Sequence, residues 1–331
     1  MRAAIADGTG TLSLTTVDDP TPGPMDVIVQ VDSCGVCGTD LHIIDGHYPA
    51  ARLPIVPGHE IAGTVVAHGR DVHHLQEGAF VVVDPVAECG HCLQCRSGRT
   101  NLCTNWNGYG VTLPGGFADY VRVRAVDAQP LPPAVPRKWA TLIEPLSCVL
   151  HALDRIGPIH PGDTALVLGA GPTGLILSQL LTASGARVDV VDRNPERHSR
   201  AGHFGAHRTA DDIANLEQPG GWNLVVEATG SVGGFHAGLN AVRSAGRFHV
   251  FGVSSPDATA QVSPYDIFAK ELTITGSQSL QHTFGRAAQA LAAGVLDGEA
   301  LVTARVPLLD VDKAIDLVRR GEGIKTQLIG Y

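Results

Sequence analysis

The sequence predicts an α/β protein in two parts: a mostly β region over residues 1–147, then a doubly wound, parallel-sheet region. Short extended runs broken by Gly and Pro fill the first part. Continuous apolar runs alternate with helix-period segments in the second. A G-x-G-x-x-G run stands between one such strand and the helix after it.

In the first part, VIVQV (27–31), IAGTVV (61–66), FVVVDP (80–85) and ADYVRV (118–123) read as strands, and TPGP (21–24) and LPPAVP (131–136) as turns or loops. LSCVLHALDRI (146–156) has apolar residues at helical spacing. ALVL (165–168) is apolar throughout, as in a strand covered on both faces. PTGLILSQLLTAS is helical and stops at Gly185; RVDVVD is a second strand. Asn194-Pro195 supplies an N-cap and a first-turn proline for the next helix. NLVVEATG (223–230), GRFHVFG (246–252) and LTITGS (272–277) read as later strands. FGRAAQALAAG and VDKAIDLVRRG read as helices, and the chain ends in the strand-like KTQLIGY, a return that can complete the first part's sheet. The expected division is 1–147 plus 287–331 for one domain and 148–286 for the other.

The chain has 331 residues, 44% apolar and 17% charged, with net charge −9. That composition is globular. An acidic balance without Lys/Arg clusters speaks against nucleic acid or anionic membrane as partners. No apolar run approaches a membrane span, and MRAAIADGTG lacks a signal-peptide core, so the expected location is cytoplasmic. Seven cysteines, an odd number, favour metal ligands over a disulfide framework.

Gly169, Gly171, Pro172, Thr173 and Gly174 form the glycine run, and Asp192 ends the next strand eighteen residues past Gly174. Gly169 allows the tight turn, Gly171 admits a pyrophosphate to the backbone, and Gly174 lets helix and strand pack. The helix N-terminus offers free N–H groups to phosphate. Asp192 is expected to accept hydrogen bonds from ribose hydroxyls and to repel a 2′-phosphate, which favours NAD over NADP. Arg193 beside it can tolerate that phosphate. Arg197 either covers the adenine or phosphate side or is a solvated helix charge. Thr229 and Phe251 lie at the ends of later strands, where a nicotinamide half is expected, and Ser277 and Lys325 are candidate cofactor-side contacts; a purely structural role is the alternative for each.

CGVCGTDLH (34–42) and PGHE (57–60) offer thiolate, imidazole and carboxylate. Cys37 and His59 are candidate zinc ligands, with Glu60 or Glu144 as the oxygen donor; dispersed ligands with an open position suit catalytic zinc. CGHCLQCRSGRTNLC packs Cys89, Cys92, Cys95 and Cys103 into fifteen residues. Disulfides, a thiol relay, an iron–sulfur cluster and zinc all use such thiols.

The GVCGTDLH and VPGHE segments, the four-cysteine run, EPLSCVLHA, GAGPTG and the terminal strand, in that order, resemble the zinc-dependent medium-chain alcohol/polyol dehydrogenase family over nearly the whole chain. The resemblance implies a GroES-like β catalytic domain and a Rossmann cofactor domain inserted into it. It implies two zinc ions per chain. The catalytic one is on Cys37, His59 and Glu60 or Glu144, and the structural one is in a lobe over 88–104, a closed four-thiolate site with no position for substrate. Thr39 matches the hydroxyl that contacts the substrate oxygen, and His42 the end of a proton relay. Ile43, Tyr48 and Trp106, with Asn105 or Asn107, are candidate pocket residues.

The implied reaction is reversible NAD-linked oxidation of a secondary hydroxyl on a polyol, sugar or cyclitol. The alternative substrate is an amino alcohol of threonine type or a simple secondary alcohol. The family implies a homodimer or homotetramer. A non-enzymatic NAD-binding relative that kept the fold is the reading from another class; loss of Cys37, His59 or Asp192 is what it predicts, and all three are present. A thiol-redox protein is a further option, separable by metal content.

Overall fold

The structure, a computed structural model, describes residues 1–330; the final Tyr331 of the KTQLIGY run lies outside the described residues. The chain divides into two compact units, Met1–Ser147 with Leu280–Tyr331, and Cys148–Ser279. The return to the first unit thus begins at Leu280, not 287. Leu280 is buried, and Thr283 donates its hydroxyl to the Ser147 carbonyl at 2.8 Å.

The first unit opens with a hairpin not read in the sequence, β1 (Arg2–Ala6) and β2 (Leu12–Thr16). β3 (Asp26–Val36), the short helix α1 (Gly38–Ile44), β4 (Glu60–His68) and β5 (Phe80–Val83) follow. β6 (Val86–Ala87) and β7 (Asn107–Gly108) pair and flank the cysteine lobe, which holds α2 (Leu93–Arg96). β8 (Tyr120–Arg124), β9 (Ala128–Pro130) and α3 (Ile143–Ile156) lead to the division.

The second unit alternates β10 (Thr164–Leu168), α4 (Pro172–Ala183), β11 (Arg187–Val191), α5 (His198–His203), β12 (Arg208–Ala210), β13 (Trp222–Glu227), α6 (Val232–Ala241), β14 (Val242–Val250), α7 (Pro264–Lys270) and β15 (Thr273–Gly276). The return adds α8 (Phe284–Ala292), α9 (Gly298–Leu301), β16 (Val302–Pro307), α10 (Val311–Arg319) and β17 (Lys325–Ile329).

The second unit's sheet runs β12-β11-β10-β13-β14-β15, all parallel. That order places a topological switch between β10 and β13, where such sheets bind nucleotides at their carboxyl edge. Leu166, Leu168, Val225 and Phe248 form part of its core. α4 starts on Pro172, which needs no N–H there, and stops before Gly185 at φ +92. Asn194 Oδ1 accepts from Glu196 N at 3.0 Å, so the cap forms, on a short 3-10 turn that precedes α5.

The first unit's main sheet runs β16-β17-β3-β4-β5-β9, with β8 also on β3. β17 pairs antiparallel with β3, Thr326 opposite Val36 and Leu328 opposite Cys34. β17 therefore lies beside the Ser33–Val36 segment that leads into Cys37. Alternate residues of β3 (Val27, Val29 and Val31) join Ile61, Val65 and Phe117 in the core.

One buried group of the second unit makes stability depend on pH. His249 of β14 has no exposed surface; Nδ1 meets Thr275 Oγ1 at 2.8 Å and Nε2 meets Ser277 Oγ at 3.0 Å. Burial first, then Arg155 and His151, pulls its pKa down to about 4. An unfolded histidine titrates near 6.5, so between these values the unfolded chain binds the proton and the native one does not. Stability is unaffected above that range and falls as pH drops through it, by at most about 2 kcal/mol at pH 5. Urea unfolding of wild type and His249→Gln at pH 7.5 and pH 5 checks this. The variant is expected to lose less stability across the interval, and equal losses in both proteins would remove His249 as the cause.

Candidate active site and dinucleotide loop

The first site is built where β3 ends. Cys37 is the N-cap of α1, and Asp40, at the third helical position, accepts from Cys37 N at 2.9 Å. Asp40 has no exposed surface. It also accepts from Gly58 N at 3.1 Å and lies 3.2 Å from His59 Nδ1. An ionised carboxylate only accepts, so this contact keeps a proton on Nδ1 and makes Nε2 the nitrogen that can coordinate once it gives up its own proton. Gly58 sits at φ +92, and a Cβ there would lie 2.4 Å from the Phe117 ring. No other residue allows the PGHE turn to approach Asp40 in this way.

Glu60 opens β4 opposite Gly35. A Cβ on Gly35 would fall 1.8 Å from Glu60 Oε2, so the glycine is the space this carboxylate occupies. Lys325, at the start of β17, donates to Glu60 Oε1 and, at 3.2 Å, to the Val36 carbonyl. Glu60 is wholly buried and Lys325 is 2% exposed. Glu60 Oε2 is buried with no hydrogen-bond partner. Ligand atoms of Cys37, His59 and Glu60 all lie within 4.8 Å of one another. A thiolate, an imidazole nitrogen and an unpartnered carboxylate oxygen at that separation fit zinc.

Burial raises the Glu60 pKa to about 7, with Lys325 opposing and Glu144 adding to the rise. Burial pulls His59 down, but Asp40 and Cys37 together more than offset it, and the net shift is well upward. Glu144, in the first turn of α3 and 8% exposed, lies outside the three-residue set. Its charge is nonetheless felt by Glu60.

Thr39 is half-buried, its hydroxyl 4.0 Å from Cys37 Sγ. His42 is exposed in the last turn of α1. Tyr48 is half-buried and its pKa is raised, by burial first, with His59 and Cys37 both felt. Ile43 is fully buried in the core cluster and lines no open pocket. Its place on the inward face of α1 explains this. Trp106 Nε1 is buried without a partner. Asn105 N donates to Cys103 Sγ at 3.3 Å and so belongs to the lobe, while Asn107 Oδ1 accepts from Thr112. Lys325, a candidate cofactor-side contact in the sequence, is the partner of Glu60.

In the lobe, Sγ atoms lie 3.4 Å apart for Cys92–Cys95, 3.5 Å for Cys89–Cys103 and 3.9 Å for Cys92–Cys103. A tetrahedron of sulfurs ~2.3 Å from a zinc centre has edges of about 3.8 Å. Backbone N–H groups of Cys89 and Cys95 point at Cys103 and Cys92 sulfur, both at 3.4 Å. Such donors favour thiolate, and the Cys95 amide is the first cause of a lowered pKa at Cys92. Arg124 of β8 anchors the lobe's entry, donating to the Glu88 carbonyl at 2.7 Å and to the Asp127 carboxylate at 2.6 Å.

The second unit carries the glycine loop. Gly169 stands at φ +104, and a Cβ on Gly174 would be 1.9 Å from the Gly169 carbonyl oxygen, so the third glycine is sterically required. A Cβ on Gly171 would meet nothing within 4 Å, and no side chain caps α4. The helix N-terminus thus presents open backbone N–H groups, which fits a pyrophosphate. Pro172 and Thr173 complete the turn and are half-buried.

Asp192 Oδ2 accepts from Ala170 N at 2.8 Å and Oδ1 from Asn194 N at 2.9 Å. Arg197 pairs with Oδ2 at 3.2 Å, so it is not a free helix charge; Arg193 is exposed. Thr229 is exposed, Phe251 N donates to the Glu227 carbonyl at 2.9 Å, and Ser277 is held by His249. Two residues escaped the sequence reading. Asp40 was signalled by its place three residues after Cys37, the spacing of a helix N-cap and its third-position acid. Glu227 was signalled only by being acidic at the end of an apolar strand.

Residues 23–133 match the family described as Alcohol dehydrogenase GroES-like domain, and residues 172–293 the one described as Zinc-binding dehydrogenase. The chain belongs to the zinc-dependent medium-chain alcohol/polyol dehydrogenase family. It is an oxidoreductase acting on CH–OH, with a GroES-like and a Rossmann-type unit. It is 36% identical to D-arabinitol dehydrogenase 1 of Uromyces fabae, over 95% of this chain and 92% of that one. It is 36% identical to D-altritol 5-dehydrogenase of Agrobacterium fabrum, over 93% and 92%. Among solved structures it is similar to a zinc-binding dehydrogenase of Sinorhizobium meliloti bound to NADP (TM-score 0.92, 32% identity, 99% and 98% covered). It is also similar to an alcohol dehydrogenase of Escherichia coli complexed with NADH (TM-score 0.93, 31% identity, 99% of each). No helix among the described residues is long and apolar enough to cross a membrane.

Proposed function

We propose that this protein oxidises a secondary hydroxyl of a polyol, sugar or cyclitol to a ketone, reversibly, with NAD and a zinc ion on Cys37, His59 and Glu60. The observation that carries the reading is the convergence of those three ligands, His59 and Glu60 buried and Cys37 half-buried, around the unpartnered Glu60 Oε2. The polyol class draws on the names of the arabinitol and altritol relatives. A second zinc on Cys89, Cys92, Cys95 and Cys103 shapes the lobe. The Asp192 carboxylate favours NAD, and Arg197 beside it reduces the repulsion of a 2′-phosphate. Seven cysteines, an odd number, suit a reducing cytoplasm. Exposed Tyr265 and Phe268 on α7, with β15 at the sheet edge, support a homodimer or homotetramer.

Bound zinc supplies Lewis-acid polarisation of the hydroxyl oxygen, and bound NAD supplies the hydride acceptor. The chain's own residues do the rest. Asp40 fixes the His59 ring for coordination. Lys325 holds Glu60 in place. Thr39, beside Cys37, takes the substrate's proton while donating its own, because a hydroxyl does both at once. His42 follows one turn later on the same face of α1 and hands the proton to solvent.

NADH formation against polyols, cyclitols, amino alcohols and simple secondary alcohols tests the reading. The highest kcat/KM is expected for a polyol, sugar alcohol or cyclitol; turnover confined to amino alcohols would replace the substrate class. Cys37→Ser is expected to abolish turnover with an unchanged circular dichroism spectrum. Wild-type-like rates in that variant, shown by elemental analysis to lack its zinc, would sink the mechanism. Cys95→Ser is expected to lose one zinc equivalent and to speed amide exchange over residues 88–104, with the other zinc retained; retention of both ions would remove the lobe from the zinc count. Asp192→Ala is expected to weaken NAD binding about tenfold, the loss of a hydrogen bond to a charged group, and to narrow the NAD/NADP gap. An unchanged ratio of the two dissociation constants would take Asp192 out of the cofactor site.

A further inference from the structure

We infer that Glu227 is a positioning residue for the nicotinamide half of the dinucleotide, holding the turns after β13 and β14 in the shape that receives it. The inference rests on the dinucleotide reading above.

Glu227 is the last residue of β13 and is 1% exposed. It lies level with Leu168 of β10 and Val250 of β14 at the carboxyl edge of the sheet. Its Oε1 accepts from Thr229 N at 2.8 Å, from Gly230 N at 3.1 Å and from the Thr229 hydroxyl; Oε2 accepts from Gly230 N at 3.1 Å. Its main-chain carbonyl accepts from Phe251 N at 2.9 Å and Gly252 N at 2.8 Å. One residue therefore ties together two turns that are consecutive in the sheet. Ser254 closes the pair by donating to the Gly230 carbonyl at 2.8 Å.

The space around this carboxylate is reserved. A Cβ on Gly234 would lie 2.9 Å from Oε1, and one on Gly252 would lie 2.9 Å from Oε2 and 2.1 Å from Gly230 N. Among the described residues no Lys or Arg pairs with Glu227; every contact given above is a backbone N–H or a hydroxyl of the turn. A buried carboxylate is costly unless its donors are fixed. Here the donors belong to the 228–231 turn, so the carboxylate fixes the turn.

The sheet order says what that turn faces. β11, which ends just before Asp192, lies on one side of β10, and β13 and β14 lie on the other. A dinucleotide with its pyrophosphate at the α4 N-terminus and its adenosine ribose at Asp192 carries its other half over β13 and β14. The turn also abuts the glycine loop: a Cβ on Gly169 would be 3.1 Å from Thr229 Cγ2.

The test compares NADH with ADP-ribose, which lacks the nicotinamide, by calorimetric titration of wild type, Glu227→Gln and Glu227→Ala. Glu227→Gln keeps the volume and one acceptor oxygen, so it decides the matter where Glu227→Ala does not fold. The expected result is a Kd for NADH raised about tenfold in Glu227→Gln, the scale of one lost hydrogen bond to a charged group, with ADP-ribose within about twofold. Faster amide exchange at 228–231 and 251–253 is expected alongside. An unchanged NADH Kd, or equal weakening of both ligands, overturns the positioning role. Wild-type protein that binds neither ligand overturns the dinucleotide reading itself, and this inference with it.

Discussion

The ligand set of the first unit depends on one carboxylate that reaches no water. Asp40 answers Cys37 N, Gly58 N and His59 Nδ1 together. Each of those contacts sets a different part of the site: the start of α1, the path of the PGHE turn and the tautomer of the imidazole. A buried carboxylate left short of donors is strongly unfavourable, so the three contacts form together or the segment rearranges. Cys37 and His59 are twenty-two residues apart in the chain, and Asp40 turns that separation into a few ångströms.

Two glycines complete this arrangement by what they lack. Gly35 leaves the space that Glu60 Oε2 fills, and Gly58 lets the turn pass under the Phe117 ring. Both follow from packing between strands distant in sequence. In the second unit Gly174 plays a comparable part, but within one strand–turn–helix segment. The first unit's glycines could not be assigned a purpose from the sequence, whereas the second unit's could.

That contrast explains how much was legible. Gly169, Gly171, Gly174 and Asp192 obey local physics: a tight turn, an open helix N-terminus and an acid one strand later. Cys37, His59 and the four lobe cysteines were legible by chemical type, since thiols and imidazoles at such spacings have few uses. The partners were not legible. Lys325 became the mate of Glu60 because β17 pairs with β3 in a register that only the folded sheet defines. Ile43 turned inward because α1 is a helix, an element the residue pattern around GTDLHII did not announce. The β1–β2 hairpin was missed for a similar reason: its strands gain their stability from pairing with each other and from bridges such as Ala3–Ala118 and Ala6–Ile55.

The charges around the first site then explain its choice of donors. Asp40, Glu60 and Glu144 are all at most 8% exposed, and Lys325 and His59 are the cations that oppose them. Burial has already driven the Glu60 pKa to about 7, although Lys325 is in contact with it. Adding the Cys37 thiolate makes the excess of negative charge larger. A divalent cation relieves all of these at once, and binding it displaces protons from the ligands that hold them. The same arithmetic separates the two oxygens of Glu60: Oε1 is neutralised by Lys325, and Oε2, unpartnered, is the one left to coordinate. Lys325 thereby fixes which oxygen a metal ion would meet, and β17, through a single ammonium group, becomes part of the Cys37–His59–Glu60 cluster.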